Sequence, residues 1–153
     1  MNSKTAIFPG SFDPITRGHE TIVKKALPLF DKIIIGVGQN TSKKYYFDIE
    51  QRIKYIEQTF EQEPKIEIKS YNELTVDFCK KHNAKFILRG LRTAADFEFE
   101  KSIAHLNHHL NNEIETLFFL TPPDISYISS SLVREILNFG GDVSKLIPEN
   151  VTL

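Results

Sequence analysis

The feature that most constrains the fold of this chain is the alternation of short apolar runs with amphipathic stretches, which occurs five times in 153 residues. The second run, residues 32–37, is rich in β-branched residues and does not alternate with polar positions. Such a run is typical of a parallel strand that is covered on both faces. Strands separated by helices form a parallel sheet with right-handed crossovers. The predicted strands are residues 6–8, 32–37, 66–68, 85–88 and 116–120.

These units predict one α/β domain over residues 1–153, with a Rossmann-like, doubly wound, five-stranded parallel sheet and helices on both faces. A hydrophobic content of 41% in a chain of this length suits one sizeable core. We predict the strand order 3-2-1-4-5, in which the loops after strands one and four meet at the switch point of the sheet. Ser11, His19, Arg89 and Arg92 would then lie in one crevice.

The first strand leads into a segment that is suited to binding an anion. Pro9-Gly10 ends the strand, and Gly18-His19 opens an amphipathic helix. The backbone N–H groups and the positive end of the helix dipole at such a turn attract phosphate. Gly18 lets the anion approach closely and His19 adds a donor, although a histidine near a helix start is often an exposed polar residue or a cap.

The overall charge excludes some partners. A net charge of −1 gives no general electrostatic reason to expect binding to nucleic acid or to an anionic membrane. No apolar run reaches membrane-spanning length, and the N-terminus shows no signal-peptide pattern. We therefore expect a cytoplasmic protein, in which any phosphate chemistry depends on locally placed cations.

Two pairs of cations are candidates for that role. Lys43 and Lys44 lie in a long polar connection before a helix that Asp48 is placed to cap. Arg89 and Arg92 lie on what we predict to be a glycine-containing loop after strand four. Solvated surface charge is the alternative for both pairs.

A serine cluster, residues 129–131, opens the last predicted helix, which Gly140-Gly141 closes. Serines at a helix start are most often simple caps. With Arg134 one turn inside the helix, the same N–H groups and hydroxyls could instead hold a triphosphate.

The longest predicted helix carries one apolar face and three histidines. His105 and His109 share the four-residue spacing of a two-ligand metal site, but no nearby cysteine completes a set. We therefore expect these two and His108 to be exposed or to lie at an interface. Glu100 and Asn107 lie seven residues apart on one side of this helix. Its apolar positions are 95, 99, 103, 106 and 110.

Two other signals are interpreted as structural. Gly36-x-Gly38 lacks the third glycine and the prompt helix of a dinucleotide fingerprint. Cys79 is the single cysteine, which excludes an internal disulfide. It falls in the middle of a predicted helix and is expected to pack as a small buried hydrophobe.

Several segments, taken in order and spacing, resemble one family. Residues 9–14 with Thr16-x-Gly18-His19 carry the (H/T)xGH signature of nucleotidyltransferases in general, whereas the segments at 89–92 and 128–133 are more specific. On these segments the chain resembles the phosphopantetheine adenylyltransferases, bacterial enzymes of coenzyme A synthesis. The other matching segments are Ser42-Lys43-Lys44, Ala95-Asp96-Phe97-Glu98, Gly141-Asp142-Val143 and Pro148-Glu149-Asn150-Val151.

The resemblance implies an enzyme that transfers AMP from ATP to 4′-phosphopantetheine, giving dephospho-coenzyme A and pyrophosphate, with Mg²⁺ as cofactor. It implies a homohexamer, built as a dimer of trimers, with dephospho-coenzyme A or coenzyme A as product or feedback ligand. It assigns no metal ligand to the protein itself. Nucleic acid and membrane are not expected partners.

The same resemblance implies the site residues, with His19 stabilising the transition state at the α-phosphate and Lys43 and Arg89 holding the phosphate of the second substrate. The implied catalytic residues are His19, Lys43, Arg89 and Arg92. The implied ATP-binding residues are Ser11, Phe12, His19, Gly90, Leu91, Arg92, Glu100, Ile125, Ser126, Tyr127, Ile128, Ser129, Ser130 and Ser131. The implied substrate-binding residues are Ser11, Lys43, Thr75, Arg89 and Asn107.

The chain departs from the family pattern at two places. Ile125 stands where family members often have an aromatic residue, and the sequence ends at Leu153 where a longer C-terminal helix is common. Two other functions stay open at this point. One is a different adenylyl- or cytidylyltransferase, such as one that acts on nicotinamide mononucleotide, and the other is a non-catalytic nucleotide-binding module.

Overall fold

The structure, a computed structural model, describes residues 3–153. In this part of the chain five strands alternate with five helices, and a 3₁₀ turn, Leu27–Leu29, follows the first helix. The elements are β1 Thr5–Gly10, α1 Arg17–Ala26, β2 Lys32–Gly38, α2 Ile49–Thr59, β3 Ile66–Tyr71, α3 Thr75–Lys81, β4 Phe86–Leu91, α4 Ala94–Leu110, β5 Glu115–Leu120 and α5 Ser130–Asn138.

The strands form one parallel sheet in the order β3-β2-β1-β4-β5, which confirms the predicted order. β1 lies at the centre, where Ile7 pairs with Ile34 of β2 on one side and with Ile87 of β4 on the other. The winding of the chain reverses between β1 and β4. The switch point, where folds of this class bind ligands, therefore lies at the carboxyl ends of these two strands.

Helices cover both faces of the sheet, as the unalternating strand pattern predicted. On one face Ile7, Ile34 and Ile87 pack with Phe78 and Cys79 of α3. The opposite face packs in a larger core with residues of α1, α2, α5 and the segment that follows α5. Burial raises the pKa of the Cys79 thiol to about 12, so this cysteine is the packed hydrophobe that the sequence predicts.

Side-chain caps fix where the helices begin. Thr16, Asp48, Thr93 and Ser129 each accept a hydrogen bond from the backbone N–H three residues further on. Each such cap stabilises its helix by roughly 0.5–2 kcal/mol. The cap at Thr16 starts α1 at Arg17, one residue earlier than predicted, and places the signature histidine at the third helical position.

The predicted loop after strand four is wrong for Arg89 and Gly90. Both lie on β4, because the ladder with β5 continues through Arg89↔Phe118 and Gly90↔Phe119 to the end of the strand. Gly90 allows a close approach of α1 there, because a Cβ would lie 3.0 Å from Cγ1 of Ile22 and the isoleucine would have to shift. Arg89 therefore projects from a rigid strand, and only Arg92 lies beyond it.

The apolar face of α4 does not pack into the core of this chain. Phe99 is 68% exposed and Leu106 is 56% exposed, and Ile103 and Leu110 are also exposed. The buried residue of α4 is Glu100, which faces the carboxyl edge of the sheet. None of the helices within residues 3–153 is long and apolar enough to cross a membrane.

Candidate active site

Two adjoining cavities open at the carboxyl edge of the sheet. The larger cavity has a volume of 610 Å³ and the smaller cavity a volume of 360 Å³. The residues that line both are Pro9, Gly10, Ser11, Lys43, Arg89 and Glu100. Since these residues come from the ends of β1, β2 and β4 and from α4, the switch point is where the two cavities meet.

The smaller cavity contains most of the sequence-predicted nucleotide site. The structure brings together in its wall Ser11, Phe12, Gly18, His19, Gly90, Arg92, Glu100, Ile128, Ser129, Ser130, Ser131 and Arg134. The larger cavity holds the other set: it is lined by Thr75 at the start of α3 and by Asn107 on α4. Lys43 and Arg89 stand between the two sets.

The ring of His19 is oriented by a backbone hydrogen bond. The N–H of Thr16 donates to His19 Nδ1 at 3.0 Å, so Nδ1 must carry a lone pair. The proton of the neutral ring is then on Nε2, which leaves Nε2–H as a donor. Burial, together with the charges of Arg89 and Arg92, lowers the pKa of His19 from 6.5 to about 4. At neutral pH the ring is therefore uncharged and of one tautomer.

Arg89 is held by three hydrogen bonds. Its Nε and Nη2 donate to the two carboxylate oxygens of Glu100 at 2.8 and 2.6 Å, and Nη1 donates to the carbonyl of Pro9 at 2.7 Å. Glu100 is only 8% exposed. A bidentate pair of this kind fixes the guanidinium plane. Nη1 and Nη2 each keep a second N–H group for an anion in the cavities.

Lys43 bridges two loops. Its Nζ donates to the hydroxyl of Ser11 at 3.0 Å, which joins the connection after β2 to the connection after β1. Lys44 is exposed and lines neither cavity. Of the two lysines that the sequence proposed, the structure therefore brings one to the site and leaves the other as a solvated charge.

The start of α5 supplies a second group of donors. Ser129 caps the helix by accepting from the N–H of Leu132, and the hydroxyl of Ser130 donates to the carbonyl of Pro14 at 2.8 Å. Arg134 donates to the carbonyl of Asp13 at 2.8 Å and to Ser131 Oγ at 3.1 Å. The caps and the anion site are therefore not alternatives. The same residues cap the helix and turn its positive end towards the smaller cavity.

Four members of the implied ATP set lie outside both cavities. Leu91 and Ile125 are buried in the core, where an aliphatic side chain at 125 fills space. Ser126 donates to the carbonyl of Pro123, and Tyr127 is 61% exposed. In this structure these four residues therefore form no part of the wall of either cavity.

The sequence analysis gave no role to two residues that the structure makes functional candidates, Asp13 and Arg52. Asp13 is 4% exposed, and its carboxylate accepts from the N–H groups of Tyr46 and Phe47 at 2.8 and 2.9 Å, which fastens the connection that carries Lys43. Arg52 on α2 is buried and donates to backbone carbonyls beside the site. A signal for Arg52 exists, because position 52 falls on the apolar stripe of its helix, where a charge is unexpected.

The site offers no protein cage for a metal ion. Within residues 3–153, no group of three or more histidine, cysteine, aspartate or glutamate side chains is placed to hold one. The carboxylates of Asp13, Asp96 and Glu100 line the smaller cavity, but each is already engaged with backbone N–H groups or arginine. His105, His108 and His109 are exposed on α4.

Fold and site together define a class of protein: a Rossmann-like, doubly wound α/β domain with a neutral histidine and two arginines at the switch point. Residues 7–136 match the family model described as cytidylyltransferase-like. The chain is 56% identical to the phosphopantetheine adenylyltransferase of Flavobacterium psychrophilum, over 97% of each chain. It is 50% identical to that of Cytophaga hutchinsonii, over 97% of this chain and 99% of the relative. The chain belongs to the phosphopantetheine adenylyltransferase family.

Solved structures agree on the fold. A bifunctional NMN adenylyltransferase/ADP ribose pyrophosphatase from Francisella tularensis matches with a TM-score of 0.76 and 17% identity, over 98% of this chain and 46% of the other. The same protein complexed with AMP and a manganese ion matches with a TM-score of 0.72. At this identity the likeness concerns the fold alone.

Proposed function

We propose that this protein transfers the AMP group of ATP to 4′-phosphopantetheine, which yields dephospho-coenzyme A and pyrophosphate. The observation that carries the proposal is the meeting of two cavities at Lys43 and Arg89, within a chain of this family. A reaction that joins two phosphorylated substrates needs two binding spaces with shared cations between them. The smaller cavity would take ATP, and the larger would take the pantetheine arm.

The attacking group is a phosphate oxygen of 4′-phosphopantetheine, held by Lys43 and Arg89. It forms a bond to the α-phosphorus of ATP while the bond from that phosphorus to the bridging α–β oxygen breaks, and pyrophosphate leaves. Because the nucleophile is already an anion, no general base is required. Holding the two phosphates in line and neutralising their charge supplies most of the rate enhancement.

His19 supports this step as a neutral donor. Its Nε2–H is the ring group left free after Nδ1 accepts from Thr16. A donor that is fixed before the reaction stabilises charge developing on a non-bridging α-phosphate oxygen without reorganising. Arg92 donates hydrogen bonds to Asp96 and to the carbonyl of Ile128, and it lines the same cavity as His19. It would neutralise charge on the β- and γ-phosphates of ATP.

We assign Mg²⁺ to the substrate rather than to a protein cage. ATP would enter as its Mg²⁺ complex, with the cation on the phosphate oxygens, as is common where few carboxylates are free. The engaged carboxylates of the smaller cavity are consistent with this assignment. We place the protein in the cytoplasm. Dephospho-coenzyme A or coenzyme A, as product or feedback ligand, would occupy the same two cavities.

We also propose a homohexamer, built as a dimer of trimers. The exposed face of α4, with Phe99, Ile103, Leu106 and Leu110, supports association, since monomers rarely leave so many large apolar side chains on one helix face in water.

An acceptor panel tests the proposed reaction. Pyrophosphate release is measured with ATP, Mg²⁺ and, in parallel, 4′-phosphopantetheine, nicotinamide mononucleotide or glycerol 3-phosphate. Of the three acceptors, we expect only 4′-phosphopantetheine to support the release of pyrophosphate. Release only with another acceptor would keep the site chemistry and overturn the substrate. ATP binding without release in any arm would favour a nucleotide-binding module.

A further inference from the structure

Arg52 is a charged side chain in an unusual place. It is 1% exposed, and it is the largest fully buried residue among those that the structure describes. No carboxylate within residues 3–153 lies at ion-pair distance from it, although Asp13 and Asp48 are near enough to favour its charge. Burying a cation without a carboxylate beside it costs free energy. The contacts that Arg52 does make are therefore of interest.

The guanidinium ties two strand ends together. Nη1 of Arg52 donates to the carbonyl of Ser11 at 2.7 Å and to the carbonyl of Gly38 at 3.1 Å. Ser11 follows β1, and Gly38 is the last residue of β2. Beyond the last paired residues of the β1–β2 ladder, one side chain therefore joins the two connections that Lys43 also bridges.

The same guanidinium packs against an aromatic ring. Its central carbon lies 3.9 Å from the centroid of Tyr45, and Nζ of Lys43 lies 5.4 Å from the same centroid. The hydroxyl of Tyr45 accepts from the N–H of Asn40 at 2.9 Å, which fixes the far end of the ring. Lys43 thus has two supports, the ring of Tyr45 and the hydroxyl of Ser11, and Arg52 contacts the residue that provides each of them.

We propose that Arg52 is a positioning residue for Lys43: acting through Tyr45 and Ser11, it holds the lysine where the two cavities meet, ready for the phosphate of the acceptor. Arg52 lines neither cavity, so a substrate bound in either one would not contact it directly. We expect its effect to be larger on the acceptor than on ATP, because Tyr45, which it contacts, lines only the larger cavity, and because His19 and Arg92 are oriented by Thr16 and Asp96 on other elements. The kinetic test of this positioning role rests on the proposed function, because it needs the acceptor; the labelling test does not.

The kinetic test is the substitution Arg52→Lys, which keeps the charge but loses the planar group that spans two carbonyls and a ring. We expect the KM for 4′-phosphopantetheine to rise by about tenfold, the scale of one lost charged hydrogen bond or cation–π contact. The KM for ATP should stay within about twofold. Tyr45→Leu should give the same split, and the double variant should be no worse than about the larger single effect.

Ile56→Ala is the matched control, because Ile56 lies one turn further along α2, is fully buried and lines neither cavity. It should lower the melting temperature without the KM split. Equal changes in both KM values for Arg52→Lys, or the same split in Ile56→Ala, would overturn the positioning role. If Arg52→Lys does not fold, Tyr45→Leu is judged by the labelling of Lys43 as well as by kinetics, because Tyr45 itself lines the larger cavity. An unchanged acceptor KM or unchanged labelling of Lys43 then overturns the proposal.

A second readout does not depend on turnover. The rates at which acetic anhydride modifies Lys43 and Lys44 are compared by peptide mass spectrometry, with the exposed Lys44 as internal reference. In the unchanged protein Lys43 should react more slowly than Lys44, because Ser11 and Tyr45 hold it. Tyr45→Leu and Arg52→Lys should raise the ratio severalfold. An unchanged ratio contradicts the positioning of Lys43, whereas absence of dephospho-coenzyme A with a raised ratio contradicts only the proposed function.

Discussion

His19 combines two tasks that are usually separate. Its Nδ1 completes the cap of α1 by accepting from the backbone of Thr16, and this same contact leaves Nε2–H free to be the donor that we propose for the reaction. The signature therefore uses histidine where a capping box usually has glutamate or glutamine. A carboxylate at this position would place a negative charge beside the phosphates, which histidine avoids.

Removing the ring should separate binding from turnover. His19→Ala should lower kcat by two to three orders of magnitude, or roughly 3–4 kcal/mol of transition-state stabilisation, as for loss of one oxyanion donor. The dissociation constant for ATP, measured by calorimetry, should change only a few-fold. His105→Ala, on the exposed face of α4, is the matched control and should retain full turnover. Near-normal turnover in His19→Ala would remove this residue from the mechanism.

The lowered pKa of His19 also makes a prediction about stability. Between pH 6.5 and 4 the unfolded chain binds a proton at this residue and the folded chain does not, so acidification favours unfolding. The contribution is complete above pH 6.5 and falls as the pH drops towards 4. The melting temperature of the unchanged protein should therefore fall faster than that of His19→Gln over this range. Parallel curves, or an NMR titration of the ring near pH 6.5, would contradict a ring that stays neutral down to about pH 4.

At the scale of the elements, the site depends on the close approach of α1 to β4. The contact occurs at Gly90, where a Cβ would lie 3.0 Å from Cγ1 of Ile22. Ile22 is one turn after His19 on α1, so a change in the helix–strand distance moves the histidine relative to Arg89 on the strand.

The substitution Gly90→Ala tests this coupling. The added methyl group should push α1 away from the sheet, destabilise the protein by about 1–3 kcal/mol, and lower kcat more than it raises either KM. Chemical denaturation and steady-state kinetics measure the two effects. The pair Gly90→Ala and Ile22→Ala should destabilise by less than the sum of the single changes, because the second change makes room for the first. Additive losses with normal kcat would mean that the contact does not position His19.

The sequence predicted elements well where the signal is local and less well where it depends on distant contacts. The β-branched run 32–37 and the cap at Asp48 are local, and both are found as predicted. β4 was cut short because Arg89 and Gly90 resemble a loop, and only the ladder with β5 reveals the strand. In the same way, the partners of Arg52 lie at Ser11 and Gly38, and no pattern within α2 could indicate them.

At the scale of the whole molecule, α4 has two faces with different tasks. One face presents Glu100, Ile103 and Asn107 to the cavities, and the other carries Phe99, Leu106 and Leu110, which resemble part of a core stripe in the sequence. The periodicity of this helix was correct, but a single sequence does not say whether a stripe packs inside its own chain or against another copy.

The proposed assembly predicts an effect of a charge on that stripe. Light scattering should give the unchanged protein a mass six times that of the 17.6 kDa chain. Leu106→Glu should yield smaller species with an intact circular dichroism spectrum, because the side chain is 56% exposed in the single chain. Leu29→Glu, an equally exposed position in the turn after α1, should leave the mass unchanged. A monomeric unchanged protein would contradict the assembly.

If a phosphate oxygen of 4′-phosphopantetheine attacks the α-phosphorus of ATP across the junction of the two cavities, an isotope experiment should show where each oxygen atom ends. The reaction is run with Mg²⁺, unlabelled ATP and 4′-phosphopantetheine whose phosphate oxygens carry ¹⁸O, and both products are analysed by mass spectrometry. We expect dephospho-coenzyme A that retains every labelled oxygen, one of them now bridging the two phosphorus atoms, and pyrophosphate that carries none. Label in pyrophosphate, or no labelled dephospho-coenzyme A, would contradict the account.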